Sequence, residues 1–434
     1  GVSLRLLHAQ NLDSQVEHSL EFARQQLIRT VTELQDTSFY RIKIEGPDTS
    51  FYRDTNYPRS TQEDGRWRPR KAGHWASGFL PGSLWDMYKW TSDPVWKEWA
   101  EKWTAGLEDK KNKTGNHEVG FIIYRSFGRG YHLTGREDYK EVLLQAANSL
   151  VTRYDPEVGC IISWGGNWGS RTGTVITDGM MMLELLFWAV KNGADPAWYD
   201  MAITHSLKTI EENIRPDGNH IQCVVYNLHT GEIKRSYNKQ GYAGSTTWSR
   251  GQAWGIYGFT MTYRETGDHR FLETAQRMAD YFIDNLPGDY VPYWDFQAPN
   301  IPNEEKDASA ASIAASGLLE LSTLVSEVES REKYLNAAFN ILSSLCSPAY
   351  LAEGTNSRGI LLHGVGNRMK DDPISGEVDV SLIYTDHFFI EALLRYEEIT
   401  NPQDVVFPAS IQLFQNYPNP FNYETTIPYS VFIN

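Results

Sequence analysis

With 434 residues, 41% of them hydrophobic, the chain can bury a large core, as one big domain or as two ordinary ones. Its formal net charge of −15 sets up a long-range field that repels nucleic acid and anionic membrane surfaces, so an acidic ligand has to be met by local cations. No apolar run reaches the roughly 18 to 20 residues that a bilayer span needs, and Cys160, Cys223 and Cys346 are too scattered for a disulfide framework and lack metal-ligand spacing.

Apolar residues recurring every three or four positions predict about twelve amphipathic helices, near 15–34, 76–90, 94–106, 117–133, 136–151, 177–191, 195–214, 246–266, 268–285, 309–325, 329–345 and 381–399. Ser-Asp-Pro at 92–94, Thr-Gly-Arg-Glu at 134–137 and Thr-Gly-Asp at 266–268 end one helix and cap the next, and breaks this short make neighbours antiparallel. Twelve helices then form six hairpins. No repeat of fixed period supports a solenoid, so the expected fold is all-α, an (α/α)6 barrel. The segment from His220 to Gln240 alternates polar and β-branched residues around Thr230-Gly231, which reads as a small β-hairpin insertion. Long Gly-, Trp- and Asn-rich connections at 157–174 and 286–306 mark one rim as the functional face. Asp-Thr-Ser-Phe-Tyr-Arg occurs at 36–41 and again at 48–53, a local duplication expected to lie in a loop.

Past about residue 400 the pattern changes. Residues 410–434 hold a Pro/Asn-rich turn and then alternating Thr-Ile-Pro-Tyr-Ser-Val, the start of a strand and not a thirteenth helix. Gln415 to Asn422, QNYPNPFN, resembles the hallmark of the C-terminal sorting domain of type IX secretion in Bacteroidota. The expected organisation is a helical domain over 1–400 and a linker with a truncated sorting segment over 401–434, and the expected location is exported: periplasmic, cell-surface or secreted. The chain starts at Gly1 without Met, so a missing signal peptide does not count against export.

Four blocks combine polar and aromatic residues with helix starts. In Trp75-Ala-Ser-Gly-Phe79 the two rings can floor a sugar subsite or simply pack helices. Asn116-His117-Glu118 opens a helix, where a Glu complements the dipole and a His serves either as a donor to a carboxylate or as a satisfied loop residue. Ser163-Trp164 precedes Thr174-Val-Ile-Thr-Asp178, and Asp178 heads a very apolar helix. There desolvation raises a carboxyl pKa while the helix start lowers it, and a plain N-cap is the competing role. In Gln240-Gly-Tyr242 through Trp248-Ser-Arg250-Gly-Gln252-Ala-Trp254, an Arg between two indoles makes a fork for a sugar carboxylate or an internal cation–π contact.

In this order and spacing the blocks resemble glycoside hydrolase family 88, the unsaturated glucuronyl hydrolases. The likeness runs from about Thr61 to Arg395 and takes in Trp294-Asp-Phe, Lys306-Asp307-Ala-Ser-Ala, Glu377-Val-Asp379 and Tyr384-Thr-Asp386. The resemblance implies an (α/α)6 catalytic domain over 1–400, no metal or other cofactor, and an unsaturated uronate-terminated oligosaccharide as partner, with no nucleic acid and no membrane. It makes Asp178 the general acid and base, with Glu118 positioning sugar hydroxyls and tuning it. His220, Gln240, Trp248, Arg250 and Trp254 match residues of the −1 subsite, and Trp75, Phe79, His117 and Trp164 match other parts of the same pocket. One position departs: the family pattern has His-Asp where this chain has His117-Glu118, and a carboxylate displaced by roughly an ångström can lose about a hundredfold in rate.

The implied reaction is protonation at C4 of the C4=C5 double bond and hydration at C5. The oligosaccharides concerned are lyase products of glycosaminoglycan or ulvan type. Rival readings are an unsaturated rhamnogalacturonyl hydrolase and a non-catalytic sugar-binding relative. In His363-Gly-Val-Gly-Asn-Arg368-Met-Lys370, Arg368 and Lys370 lie toward the family's aglycone side, where they are expected to meet a sulfated +1 sugar unless they are a solvated basic loop.

Overall fold

The structure, a computed structural model, describes residues 2–36, 40–45, 48–53, 56–166, 171–368, 376–401, 411–413 and 429–431, with side chains in 11–34, 56–166, 171–368 and 376–401. Its helices are α1 (Val2–Asp36), α2 (Phe79–Thr91), α3 (Pro94–Ala105), α4 (Arg129–Thr134), α5 (Glu137–Val151), α6 (Leu183–Lys191), α7 (Ala197–Asn213), α8 (Ser249–Thr266), α9 (His269–Asp284), α10 (Ala308–Leu324), α11 (Val328–Leu345) and α12 (Ile383–Thr400). A π-helical stretch, Gly120–Gly128, runs straight into α4, and a 3-10 stretch, Thr177–Met182, runs into α6. The twelve predicted segments match these elements to within a few residues, apart from α1, which extends further toward the N-terminus.

Capping follows the punctuation. Asp93 accepts from Val95 N–H with Pro94 in the first helical position of α3, and Asp268 accepts from Arg270 N–H at the start of α9. Gly135 and Gly267 end α4 and α8 in the left-handed conformation, φ 64° and 68°, which only glycine adopts without steric cost.

The helices form two concentric rings. The inner ring closes in the order α2, 120–134, 177–191, α8, α10, α12 and back to α2, and α3, α5, α7, α9 and α11 each pack outside the inner helix that precedes them. The sixth outer position is taken by α1, which packs on α11 and α12. The first helix thus completes a hairpin with the last, and Tyr396 Oη donates to Asp13 Oδ1 at 2.6 Å across that joint. This is the expected (α/α)6 barrel.

Composition explains which helices went inside. In α8, α10 and α12 residues are buried around most of the circumference, with Ala, Gly and Ser allowing close approach in α8 and α10. A Cβ on Gly258 of α8 would stand 2.5 Å from Met180 Cβ, so these two inner helices touch with no room for a side chain. No described helix is long and apolar enough to cross a membrane.

The β-structure exceeds the expectation. The anticipated hairpin is present as β9 (Cys223–Asn227) and β10 (Ile233–Tyr237), but β7 (Trp164–Gly165) and β8 (Thr172–Ile176) join it in one antiparallel sheet of order β10-β9-β8-β7. The connection 157–174, expected as a loop, therefore carries the edge strand β7 and the start of the inner strand β8, because Thr172 to Ile176 is rich in β-branched residues and pairs with 223–227. Further antiparallel pairs join β3 (Asn56–Thr61) to β4 (Trp67–Lys71) and β5 (Tyr154–Asp155) to β6 (Cys160–Ile161). The duplicated hexapeptide, expected in a loop, is partly strand: its second copy is β2 (Asp48–Arg53), which pairs antiparallel with β1 (Tyr40–Glu45), where the first copy's Tyr40-Arg41 lies, while residues 37–39 lie outside the described residues. Strands β11 (Ile411–Leu413) and β12 (Tyr429–Val431) pair at the C-terminus, while QNYPNPFN lies outside the described residues.

Candidate active site

The inner helices run parallel, so their N-terminal ends and the loops before them share one rim. Trp75 precedes α2, His117 and Glu118 precede Gly120–Gly128, Asp178 begins the 3-10 stretch, Trp248 caps α8, Asp307 caps α10 and Tyr384 stands in the first turn of α12. Unpaired N–H groups and helix dipoles give such a rim a positive potential inside an acidic protein. A cavity of about 120 Å³ opens there, walled by Arg59, Trp75, His117, Glu118, Phe121, Trp164, Ile176, Asp178, Gln240, Trp248, Arg250, Trp254, Gly366 and Asn367.

Asp178 is the group with unused capacity. Its Oδ1 has no hydrogen-bond partner, although it is buried against the protein. Burial pushes its pKa up to about 7; the Arg250 charge and the helix-start N–H oppose this, and the Glu118 charge adds to it. Desolvation therefore wins the contest that the sequence left open. A carboxyl of this kind holds a proton near neutrality and can return it to a base, as general acid–base work requires.

Glu118 is held by neighbours from its own loop. Asn116 Nδ2 donates to Glu118 Oε2 at 2.7 Å and Lys113 Nζ at 3.2 Å. Its longer side chain is thus accommodated and not loose. His117 is buried and neutral, its pKa pushed down to about 4 chiefly by desolvation; the Ser163 carbonyl, 3.3 Å from Nδ1, can only accept, so that nitrogen carries the proton.

The aromatic wall is layered. Trp75 meets Tyr384 at 4.8 Å between ring centroids and leans edge-on over Phe79 at 5.7 Å, while Trp254 meets Phe121 at 5.3 Å. Phe79 has no exposed surface and supports Trp75 from behind.

Arg250 is locked. Its Nη1 donates to Asp307 Oδ2 and Ser309 Oγ, each at 3.1 Å, and to the Val365 carbonyl, and its Nη2 to the Gly366 carbonyl at 2.8 Å. It stacks between Trp248, 4.5 Å away, and Tyr384, 5.3 Å away, so its partners are one indole and one phenol, not two indoles. With its terminal nitrogens occupied it presents a fixed positive charge more than an open fork. Arg59 is similarly gripped: Glu377 takes Nε and Nη2, both at 2.5 Å.

Of the expected site residues, the fold brings Trp75, His117, Glu118, Trp164, Asp178, Gln240, Trp248, Arg250 and Trp254 to one cavity. Three others stand outside its lining. Phe79 lies beneath it. His220 is fully buried, donates from Nδ1 to Gln252 Oε1 at 3.0 Å, and has a pKa pushed down to about 4 by desolvation. Arg368 turns to Glu304, at 2.6 Å, and to Glu305, over the Trp294 ring. Lys370 lies outside the described residues.

Arg59, Phe121, Ile176, Gly366 and Asn367 were not anticipated. Ile176 and the pair Gly366-Asn367 sit within stretches already singled out and Phe121 follows Glu118 on the same predicted helix, but nothing local marks Arg59, which reaches the cavity from β3. The later motifs prove to be braces. Asp295 accepts from Tyr242 N–H and Thr246 Oγ1, Asp307 holds Arg250 and Val365 N–H, and Asp386 accepts from the N–H groups of Ile360 and Leu361. Among the described residues no group of His, Cys, Asp and Glu has metal-holding geometry.

The family model for Glycosyl Hydrolase Family 88 matches residues 48–338. An unsaturated glucuronyl hydrolase of Formosa agariphila is 39% identical over 329 residues, 75% of this chain and 80% of that protein. An unsaturated chondroitin disaccharide hydrolase of Streptococcus pneumoniae is 31% identical, covering 74% of this chain and 81% of its own. The crystal structure of an unsaturated glucuronyl hydrolase specific for heparin superimposes with a TM-score of 0.80 at 34% identity, over 91% of this chain and 99% of the other.

Proposed function

This chain belongs to glycoside hydrolase family 88, and from that premise we propose that it removes a terminal unsaturated glucuronyl residue from lyase-generated oligosaccharides, with Asp178 as proton donor. The carrying observation is the Asp178 carboxyl, unpartnered at Oδ1 and with a pKa near 7, in a cavity walled by indoles and a fixed arginine.

The substrate is a vinyl ether, whose electron-rich carbon is C4. Asp178 gives its proton to C4, and the positive charge that develops at C5 and the ring oxygen is quenched by water, whose proton returns to Asp178. The resulting C5 hemiketal opens to a ketone, leaving a C1 hemiacetal that expels the aglycone. Glu118 keeps Asp178 protonated by its charge and accepts from sugar hydroxyls. Arg250 and the helix N-termini favour the uronate carboxylate. Because attack is at C5 and not at the anomeric carbon, carboxylate separation says nothing here about retention or inversion.

Sulfated glycosaminoglycan and ulvan disaccharides are the proposed substrate pool. The test is loss of the unsaturated-uronate absorbance with disaccharides from heparin, chondroitin and ulvan. Bleaching by wild type and not by Asp178→Asn supports the reading, and the preferred disaccharide names the source; no bleaching with any of them removes it. Export is the proposed location, supported by QNYPNPFN at 415–422. Fractionation of the producing cells tests it, and a purely cytoplasmic product sinks it.

A further inference from the structure

Left-handed backbone is costly for a residue with a Cβ, and among the described residues four non-glycines adopt it: Ser92, Tyr290, His363 and Asp379. Ser92 simply ends α2. His363 and Asp379, with φ of 59° and 56°, are partners of one another. His363 Nδ1 donates to Asp379 Oδ1 at 2.5 Å, the carboxylate being able only to accept.

The pair flanks a short antiparallel ladder that walls the catalytic cavity. Gly364 and Val380 exchange N–H to carbonyl bonds of 2.8 and 3.0 Å, and Gly366 N–H donates to the Glu377 carbonyl at 2.7 Å. A Cβ on Gly364 would stand 2.8 Å from the Val380 carbonyl oxygen and one on Gly366 2.6 Å from Glu377 Oε2, so the two arms cannot shift independently. Much of the site hangs on them. Gly366 and Asn367 line the cavity, the carbonyls of Val365 and Gly366 hold Arg250, and Glu377 holds Arg59. In a regular ladder residues placed diagonally, as His363 and Asp379 are, stand roughly 7–8 Å apart. The left-handed turn at both closes that gap.

His363 and Asp379 face a second cavity, of about 490 Å³, whose other charges are taken. Asp289 accepts from Lys306 Nζ and Tyr350 Oη, both at 2.7 Å, Arg368 pairs with Glu304 and Glu305, and the Tyr350 ring meets the imidazole edge-on at 5.6 Å. The bond to Asp379 holds the His363 pKa above its ordinary 6.5; burial opposes the rise, and the Asp379 charge and an Ala349 backbone hydrogen bond add to it. The ion pair is therefore complete below pH 6.5 and is lost as pH rises through the raised value.

We propose that His363 and Asp379 are positioning residues: their ion pair clasps the 363–367 and 377–380 arms, and so fixes the cavity wall and the grips on Arg250 and Arg59. The proposal rests on the hydrolase reading for its effect on substrate. Neither residue touches a reacting atom, so the effect falls on binding.

The affinity for an unsaturated disaccharide is measured by calorimetric titration from pH 5.5 to 8.5 in the Asp178→Asn background, which removes the titration of the proton donor. A pair this exposed is worth up to about fivefold in an equilibrium, so Kd is expected to rise about fivefold as His363 loses its proton. Asp379→Asn should abolish the step and leave Kd at its alkaline value, whereas His363→Lys, charged throughout, should abolish it and keep Kd near its acid value. Amide exchange of Gly364, Gly366 and Val380, corrected for intrinsic rate, should lose protection about fivefold in Asp379→Asn at pH 6. Unchanged protection overturns the clasp, and changed protection without a step in Kd overturns its positioning role. A step that survives in Asp379→Asn assigns it to another group and also overturns the proposal. If wild type bleaches no unsaturated disaccharide, the hydrolase reading fails by itself, and the exchange measurement alone decides the clasp.

Discussion

Replacing Asp178 by Asn removes the proton and keeps the shape. At the ordinary 3.8 a carboxyl is protonated in roughly 0.1% of molecules at pH 7, whereas at about 7 roughly half carry the proton, so burial raises the reactive population some several-hundredfold. Wild-type kcat/KM should therefore hold up to about pH 7 and fall about tenfold per pH unit above it. Asp178→Asn should lose at least about a thousandfold at every pH. The same burial costs stability. The folded state binds this proton more tightly than the unfolded chain, so its stabilisation is complete below the ordinary 3.8 and is lost as pH rises through about 7. At 1.36 kcal/mol per pH unit the loss amounts to roughly 4 kcal/mol by pH 8. The neutral amide escapes it, and Asp178→Asn should melt several degrees above wild type at pH 8 with a gap that closes toward pH 4. The assays are initial-rate bleaching of the unsaturated chromophore from pH 5 to 9 and paired thermal melts. A wild-type alkaline limb centred at pH 5 or below, or an asparagine variant within tenfold of wild type, would refute the assignment.

Glu118→Gln removes the negative charge that helps raise the Asp178 pKa, so the alkaline limb should move to lower pH; a limb that stays in place disconnects the two carboxylates. Asp307→Ala leaves the Arg250 guanidinium buried without its carboxylate, which should cost roughly 3 to 5 kcal/mol in urea denaturation; a loss below about 1 kcal/mol would show that the carbonyls of Val365 and Gly366 suffice. A Cβ on Gly251 would meet His220 Nε2 at 2.2 Å, so Gly251→Ala should displace that ring and destabilise the protein by about 1 to 3 kcal/mol, and an unchanged melting temperature would mean that His220 has room to move.

Local signals in the sequence determined the helices. Apolar spacing of three and four residues, and caps such as Asp93-Pro94 and Gly135, act within one turn of chain, so they are readable without any neighbour in space. The cavity residues that head helices, His117, Asp178 and Trp248 among them, were legible for the same reason: each sits where a helix pattern begins, and the parallel inner ring gathers those beginnings on one rim. Contacts between distant segments had no such signal. Arg59 reaches the cavity only because Glu377, 318 positions later, holds its guanidinium, and α1 closes the barrel only because α12 comes back beside it. Tertiary structure also decided the charge state of Asp178. A helix start and an apolar environment act in opposite directions on a carboxyl, and only the three-dimensional density of protein around it makes desolvation the larger. The same packing decided which cations are available, since Arg250 and Arg368 both read as candidate anion contacts in sequence but find carboxylates in space.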